Sequence, residues 1–183
     1  MKLVLRPWRD ADVPAMSRAI AESREHLRPW MPWLAYEPLS AEARLALIHD
    51  WRREAETGGD RVFGMFLGDR VAGGCGLHHR IGPGGLEIGY WVHAALTRRG
   101  IATEAVRQLC DLAFADARIE RVEIRHDRAN VASGAVAARS GFTHVRDRAG
   151  QPEAPGCEGV WRIWRLERDA WSRSRPEARP PAT

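Results

Sequence analysis

No apolar run in this chain approaches the ~20 residues that span a bilayer, which excludes a membrane-spanning helix. The opening Met1-Lys2-Leu3-Val4-Leu5-Arg6-Pro7 lacks the long apolar core of a signal peptide, so the expectation is a cytoplasmic protein with no membrane partner. Cysteine is scarce. Cys75, Cys110 and Cys157 are odd in number, far apart and outside any CxxC spacing, which argues against a disulfide framework and a zinc site and leaves each as a small core residue. His78-His79 adds no metal site, because adjacent strand residues point to opposite faces and no further ligand pattern accompanies them; no metal is expected. Lysine is nearly absent, with Lys2 alone, and arginine supplies the basic charge. The formal net charge is only +4, and half of that excess lies in residues 172–183, where Arg173, Arg175 and Arg179 outnumber Glu177. The remainder is too nearly balanced to imply a phosphate-tracking surface, and nucleic acid is not an expected partner.

What is present suits one compact domain: 183 residues with 44% apolar content. Leu3 and Leu5 before Pro7-Trp8 suggest a first strand, and Asp10 ahead of Val13, Met16 and Ile20 a capped helix. Ser40 as N-cap, with Glu42 in the first turn, opens a helix over 41–57 that ends at Gly58-Gly59. Residues 62–67 and 71–77 flank Gly68-Asp69-Arg70 and read as a hairpin, and a fourth strand runs from Leu86 to Val92. A helix from Gly100, a strand at 122–125, a helix over 131–140 and two further strands, the second at 160–166, complete the domain at 1–171. Residues 172–183, rich in Arg, Pro and Ser, read as a disordered, dispensable tail. There is no internal repeat and no interdomain linker.

The chain is organised around Thr97-Arg98-Arg99-Gly100-Ile101-Ala102-Thr103-Glu104. This stretch follows the apolar Ile88-Gly89-Tyr90-Trp91-Val92 and opens a helix whose buried stripe is expected at Ile101, Ala105, Leu109 and Leu112. A helix start presents unpaired N–H groups and partial positive charge, so a turn of small residues lets a pyrophosphate approach the backbone, with Arg98 and Arg99 adding charge. The same residues also fit a plain strand-to-helix turn with surface arginines. A second unusual stretch, Leu27-Arg28-Pro29-Trp30-Met31-Pro32-Trp33-Leu34, reads either as a hydrophobic plug or as a substrate-side wall built from Trp30, Met31 and Trp33.

The order β, α, α, β, β, β, α, β, α, β, β, together with three motifs, resembles the GCN5-related N-acetyltransferases. Those motifs are Gly89-Tyr90-Trp91, Arg99-Gly100-Ile101-Ala102-Thr103-Glu104, and Asn130-Val131-Ala132-Ser133 followed by Ser140-Gly141-Phe142. The Leu27 to Trp33 stretch is similar to the RimJ/RimL branch, whose members acetylate the N-terminal α-amine of ribosomal proteins. The resemblance implies an α/β (α+β) fold: a mixed central sheet of about seven strands flanked by helices and splayed at the acetyl-CoA site. It also implies cofactor contacts at Tyr90, Trp91, Val92, Arg98, Arg99, Gly100, Ile101, Ala102, Thr103, Asn130 and Ser133. Thr97 stands where the family has Gln or Arg, which leaves the phosphate site to the backbone amides of residues 99–102.

Acetyl transfer to an amine needs a base for the amine, a polarised carbonyl and a proton route to the leaving thiolate. Glu87, one residue before Ile88, fits the base, directly or through water, and also fits an exposed strand position or a salt bridge. By resemblance Ser133 protonates the thiolate, with Tyr90 a second hydroxyl; Asn130 and Ser133 equally fit a helix N-cap. No cysteine sits in a nucleophile motif, so transfer is expected to be direct. The expected acceptor is a protein or peptide N-terminal α-amine held against Trp30, Met31, Trp33 and Glu87. A small-molecule amine and a non-catalytic acyl-CoA sensor are the alternatives, and a homodimer is left open.

Overall fold

The structure is a computed structural model and describes residues 2–174. Its organising strand is β4 (Gly85–Val92), where Leu86, Ile88, Tyr90 and Val92 alternate with Glu87, Gly89 and Trp91. Alternation on a strand sends the two sets to opposite faces. The first set packs against α3 (Ile101–Phe114), whose buried side is Ile101, Ala105, Val106, Leu109, Cys110, Ala113 and Phe114. That arc is centred on Leu109 and Ala113, so Leu112, expected inside it, lies at its margin and is 38% exposed.

Among the described residues seven strands form one sheet in the order β1 (Leu3–Pro7), β2 (Arg61–Leu67), β3 (Arg70–His78), β4, β5 (Arg121–Asp127), β7 (Val160–Glu167), β6 (Thr143–Ala149). Every neighbouring pair is antiparallel except β4 and β5, which are parallel and joined through α3. Parallel neighbours require such a crossover. The second face is covered by α1 (Val13–Leu27) and α2 (Ala41–Glu56), whose Met16, Ile20, Leu27 and Ile48 form a core with Trp8, Phe66, Val71 and Trp91. Ser40 caps α2 as expected, its Oγ accepting from the Ala43 amide at 3.2 Å. Asp10 does not cap α1: a short 3-10 turn at Asp10–Asp12 intervenes, and Arg52 (2.9 Å) and His49 (3.2 Å) engage the Asp10 carboxylate instead. The helix after β5 is α4 (Val131–Arg139).

The chain remains helical past its expected end at 171, in α5 (Arg168–Arg173); the rest of the expected tail, residues 175–183, lies outside the described residues. Arg168 ties this end to the turn after α3. Its guanidinium donates to the carbonyl of Phe114 (2.9 Å), the last residue of α3 and one that a helix C-terminus leaves without a partner, and to those of Ile119 (2.8 Å) and Asp116 in the turn that follows. We therefore expect Arg168→Ala to lower stability by roughly 2 kcal/mol, read as a reduced urea midpoint with an unchanged slope. Arg168→Lys should recover only part, since one ammonium does not reproduce the planar fork.

Candidate active site

The parallel ladder between β4 and β5 runs from Gly85↔Arg121 to Ile88↔Ile124 and stops there. Beyond it β4 pairs only with β3, to Gly73↔Val92, while β5 stays with β7, to Asp127↔Trp161. The sheet is therefore split between Gly89–Val92 on one side and Arg125–Asp127 on the other, the splay the resemblance implied. A cavity of about 630 Å³ passes through this region and brings together Glu87, Tyr90, Asn130 and Ser133 with Trp30, Met31, Trp33 and Trp91. Val92 and residues 98–103 do not line it.

On the face carrying Glu87, the cavity floor is backbone. Gly74 is register partner to Trp91, and Gly76 to Gly89. The Trp91 indole and the His78 imidazole lie across these glycines: a Cβ on Gly74 would stand 2.6 Å from Trp91 Nε1, and one on Gly76 2.9 Å from His78 Nε2. His78 is fixed by Asp60, at 2.6 Å from Nδ1. Glu87 is 7% exposed, and its carboxylate accepts no hydrogen bond among the described residues. Arg80 stands 3.6 Å from one of its oxygens and Arg125 3.8 Å from the other. A second carboxylate, Glu123, sits beside Glu87 in register, a neighbour that the sequence reading lacked; Arg165 neutralises it at 2.6 Å.

On the opposite face the two candidate hydroxyls meet, with Tyr90 Oη 2.9 Å from Ser133 Oγ. Burial pushes the Tyr90 phenol up to about 12, against the opposing pull of the Ser133 contact, so it stays protonated at neutral pH. Asn130 does cap α4, its side-chain oxygen accepting from the Ser133 amide at 3.2 Å. The cap occupies the Ser133 amide and leaves its hydroxyl to Tyr90, so the two readings of Ser133 are compatible. Below them, burial lowers the pKa of His126 and keeps it neutral: Nδ1–H donates to the Asp127 carbonyl at 2.7 Å, and Nε2 accepts from Trp164 at 2.9 Å.

Asp127 holds this corner. Its carboxylate accepts from the amides of Ala129 (2.9 Å), Glu158 (3.1 Å), Gly159 (2.9 Å) and Val160 (3.2 Å). It thus joins the turn that starts α4 to the segment carrying Cys157 along the cavity wall. Cys157 is only partly buried, unlike the core position expected for it; Cys75 and Cys110 are buried, and burial pushes both thiols up, Cys110 to about 12.

The expected phosphate turn lies on the surface between β4 and α3. Arg98 and Gly100 take left-handed backbone conformations, φ 61° and 76°, and Glu104 supplies the first amide of the helical ladder, bonding the Gly100 carbonyl at 2.9 Å. The amides of residues 101–103 precede that ladder and belong to the group a helix N-terminus leaves for a ligand. No protein atom crowds a Cβ at Gly100, so its requirement is conformational. The turn is tied to α1 from behind, where His93 stands 3.0 Å from Glu22 and Ser23 Oγ accepts from the Ala94 amide at 3.1 Å.

On the face carrying Glu87, Trp33 lies 6.3 Å from Trp91, so the Pro-interrupted stretch forms a wall of the cavity, while its Leu34 enters the core. A buried Arg44–Glu37 pair at 2.6 Å stands further along that wall. Arg80, Arg125, His78 and Trp161 were not singled out as site residues from sequence. A signal for Arg125 was available, because Glu123, Arg125 and Asp127 alternate with Val122, Ile124 and His126 on a strand flanked by apolar neighbours, which marks a polar face inside the fold.

A family model described as an acetyltransferase (GNAT) domain matches residues 2–143. The chain belongs to the GNAT acetyltransferases, and it is an acetyl-CoA-dependent N-acetyltransferase. The exposed helix-start amides and the split sheet fit the pyrophosphate and thioester arm of that cosubstrate. YdaF of Bacillus subtilis (strain 168), provisionally named a ribosomal N-acetyltransferase, is 31% identical over 143 residues, covering 76% of this chain and 77% of YdaF. Mycobacterium smegmatis RimJ, solved with a CoA disulfide, is similar at 26% identity and a TM-score of 0.79, covering 93% of this chain and 87% of that one. RimL, a ribosomal L7/L12 alpha-N-protein acetyltransferase solved with coenzyme A, shares the fold at a TM-score of 0.83 and 23% identity, covering 93% and 96%. Among the described residues no helix is long and apolar enough to cross a membrane.

The Asp127 clamp carries a pH signature. Burial acts to raise its pKa, and the four amides outweigh it, leaving the carboxyl below the ordinary aspartate range. A group depressed on folding contributes stability above its unfolded pKa and loses it as pH falls through the folded one. Asp127→Asn should cost roughly 3 kcal/mol at pH 7, and in denaturant titrations the deficit should shrink as pH drops below ~3.9.

Proposed function

We propose that this acetyltransferase acts on the α-amine at a protein or peptide chain end. The observation that carries the reading is Glu87: a cavity-lining carboxylate that, unlike Glu37 and Asp127, accepts no hydrogen bond among the described residues, on the side of the split that carries Trp33 and Trp91. One modest base suits an α-amine, which at pKa ~8 is about 10% neutral at pH 7, better than a lysine amine, about 0.04% neutral at ~10.4. The gap is worth roughly 3 kcal/mol. The name given to YdaF, among ribosomal N-acetyltransferases, supports the same class of acceptor.

Acetyl-CoA supplies the acetyl thioester and the sulfur that leaves. Glu87 first takes the ammonium proton, directly or through one water; the freed lone pair then forms the bond to the acetyl carbon, and the nitrogen's second proton passes to water as the amide forms. Tyr90 and Ser133 donate to the departing sulfur as the carbon–sulfur bond breaks. A phenol at about 12 is a weaker acid than a thiol at ~8.5, so this pair stabilises the thiolate by hydrogen bonding and the lasting proton comes from water. The raised thiols of Cys75 and Cys110 fit transfer without an acyl-enzyme.

Tyr90→Phe and Ser133→Ala should each lower kcat by about 10²-fold with acetyl-CoA affinity retained, and the double variant should be little worse than either. Glu87→Gln should move the rate profile to higher pH. Mass spectrometry of a peptide with a free N-terminus and an internal lysine decides the acceptor: acetyl groups on the lysine, with the α-amine untouched, would overturn the reading.

A further inference from the structure

Resting on the chain-end reading above, we propose that Arg125 reads a carboxylate on the acceptor, carried by an Asp or Glu side chain in the second position of the peptide. Arg125 is the first residue of β5 beyond the last ladder pair, on the same face as Glu87. Its guanidinium lies 4.7 Å over the Trp161 ring, and its Nε is 3.8 Å from Glu87, too far to be a hydrogen bond. The side chain is 28% exposed, lines the cavity, and makes no hydrogen bond among the described residues. Its planar fork of donors, held by stacking on Trp161, is set for a bidentate partner that the protein itself does not provide.

The charges around Glu87 point the same way. Arg165 is committed to Glu123 and Arg44 to Glu37, each at 2.6 Å. Arg80 and Arg125 are the two guanidiniums that flank Glu87, at 3.6 and 3.8 Å, so one negative charge is faced by two positive ones. An incoming ammonium that meets Glu87 therefore comes close to both guanidiniums, and a negative charge of its own beside Arg125 offsets that local repulsion. Arg80 also stands 3.9 Å from Asp60, which draws it toward that side. Arg125 is then the guanidinium left facing the acceptor. A chain end whose ammonium meets Glu87 and whose second side chain meets Arg125 satisfies both groups at once. The Trp30, Met31 and Trp33 wall is left for apolar parts of the peptide.

The test compares peptides identical except for Asp, Asn or Lys at the second position, with the free amino acid serine as a fourth acceptor. Product mass and kcat/KM are the readouts. The wild-type enzyme should favour Asp over Asn by roughly 10-fold and over Lys by more, and added salt should shrink the ratio. Arg125→Gln should abolish the Asp preference while acetyl-CoA affinity, read by calorimetry, stays unchanged. Arg125→Glu should turn the preference toward Lys, an inversion that a merely structural role does not produce. Equal kcat/KM for Asp and Asn peptides in the wild type would overturn the role of Arg125 while leaving the chain-end reading in place. Failure to acetylate any of the peptides at the α-amine, with or without turnover of serine, would overturn the chain-end reading itself.

Discussion

The parallel ladder between β4 and β5 ends after Ile88 and Ile124, and nearly everything functional in this molecule depends on that ending. A ladder that continued would pair the backbone of Gly89–Val92 with Arg125–Asp127 and close the cavity. The two strands separate because each is held by another neighbour. β3 keeps β4, through Gly73, Gly74 and Gly76, and β7 keeps β5 to Trp161. Asp127 then fixes the far lip of the opening by gathering four amides from two segments onto one carboxylate. Hydrogen bonds to an ionised acceptor are stronger than neutral ones, so a break in the sheet is held open by a charge rather than left frayed.

The split also sorts the chemistry by parity. Glu87 and Tyr90 lie three residues apart on one strand and so point to opposite faces. In an unbroken sheet a base and a hydroxyl so placed could not serve one reaction centre. The opening lets both reach a common cavity, with the carboxylate on the side of Trp33 and Trp91 and the hydroxyl pair against α4. The turn before α3 stands at a distance from both and is braced by His93 and Ser23 against the C-terminal part of α1, the end that leads into the wall at residues 30–33.

Much of the fold was legible because its elements carry strong local signals. The alternation in 86–92, the cap at Ser40 and the left-handed glycine at 100 each act through the residues beside them. Glu87, Tyr90, Ser133 and the tryptophan pair were legible as site candidates for the same reason, through short motifs. The arginines were not. Arg125 stands out only because Trp161 and Glu87 lie beside it, neighbours from two other strands that the tertiary fold alone brings to β5. Asp10 misled because an aspartate ahead of an apolar periodicity is a good cap in isolation, whereas here Arg52, 42 residues away, claims its carboxylate. Glu123 escaped notice because its nearness to Glu87 depends on parallel register across α3.

The glycine floor bears on how such an enzyme changes over time. Any side chain at Gly74 or Gly76 collides with Trp91 or His78, rings that are themselves fixed by Trp33 and Asp60, so substitutions there lose the pocket rather than reshape it. Variation that preserves transfer is confined to the walls. There the tryptophans and Arg125 project from separate elements and can be exchanged one at a time. On the proposed reading, the reaction chemistry and the choice of acceptor are thus encoded in different residues, and a lineage can drift from one amine to another without passing through an inactive protein.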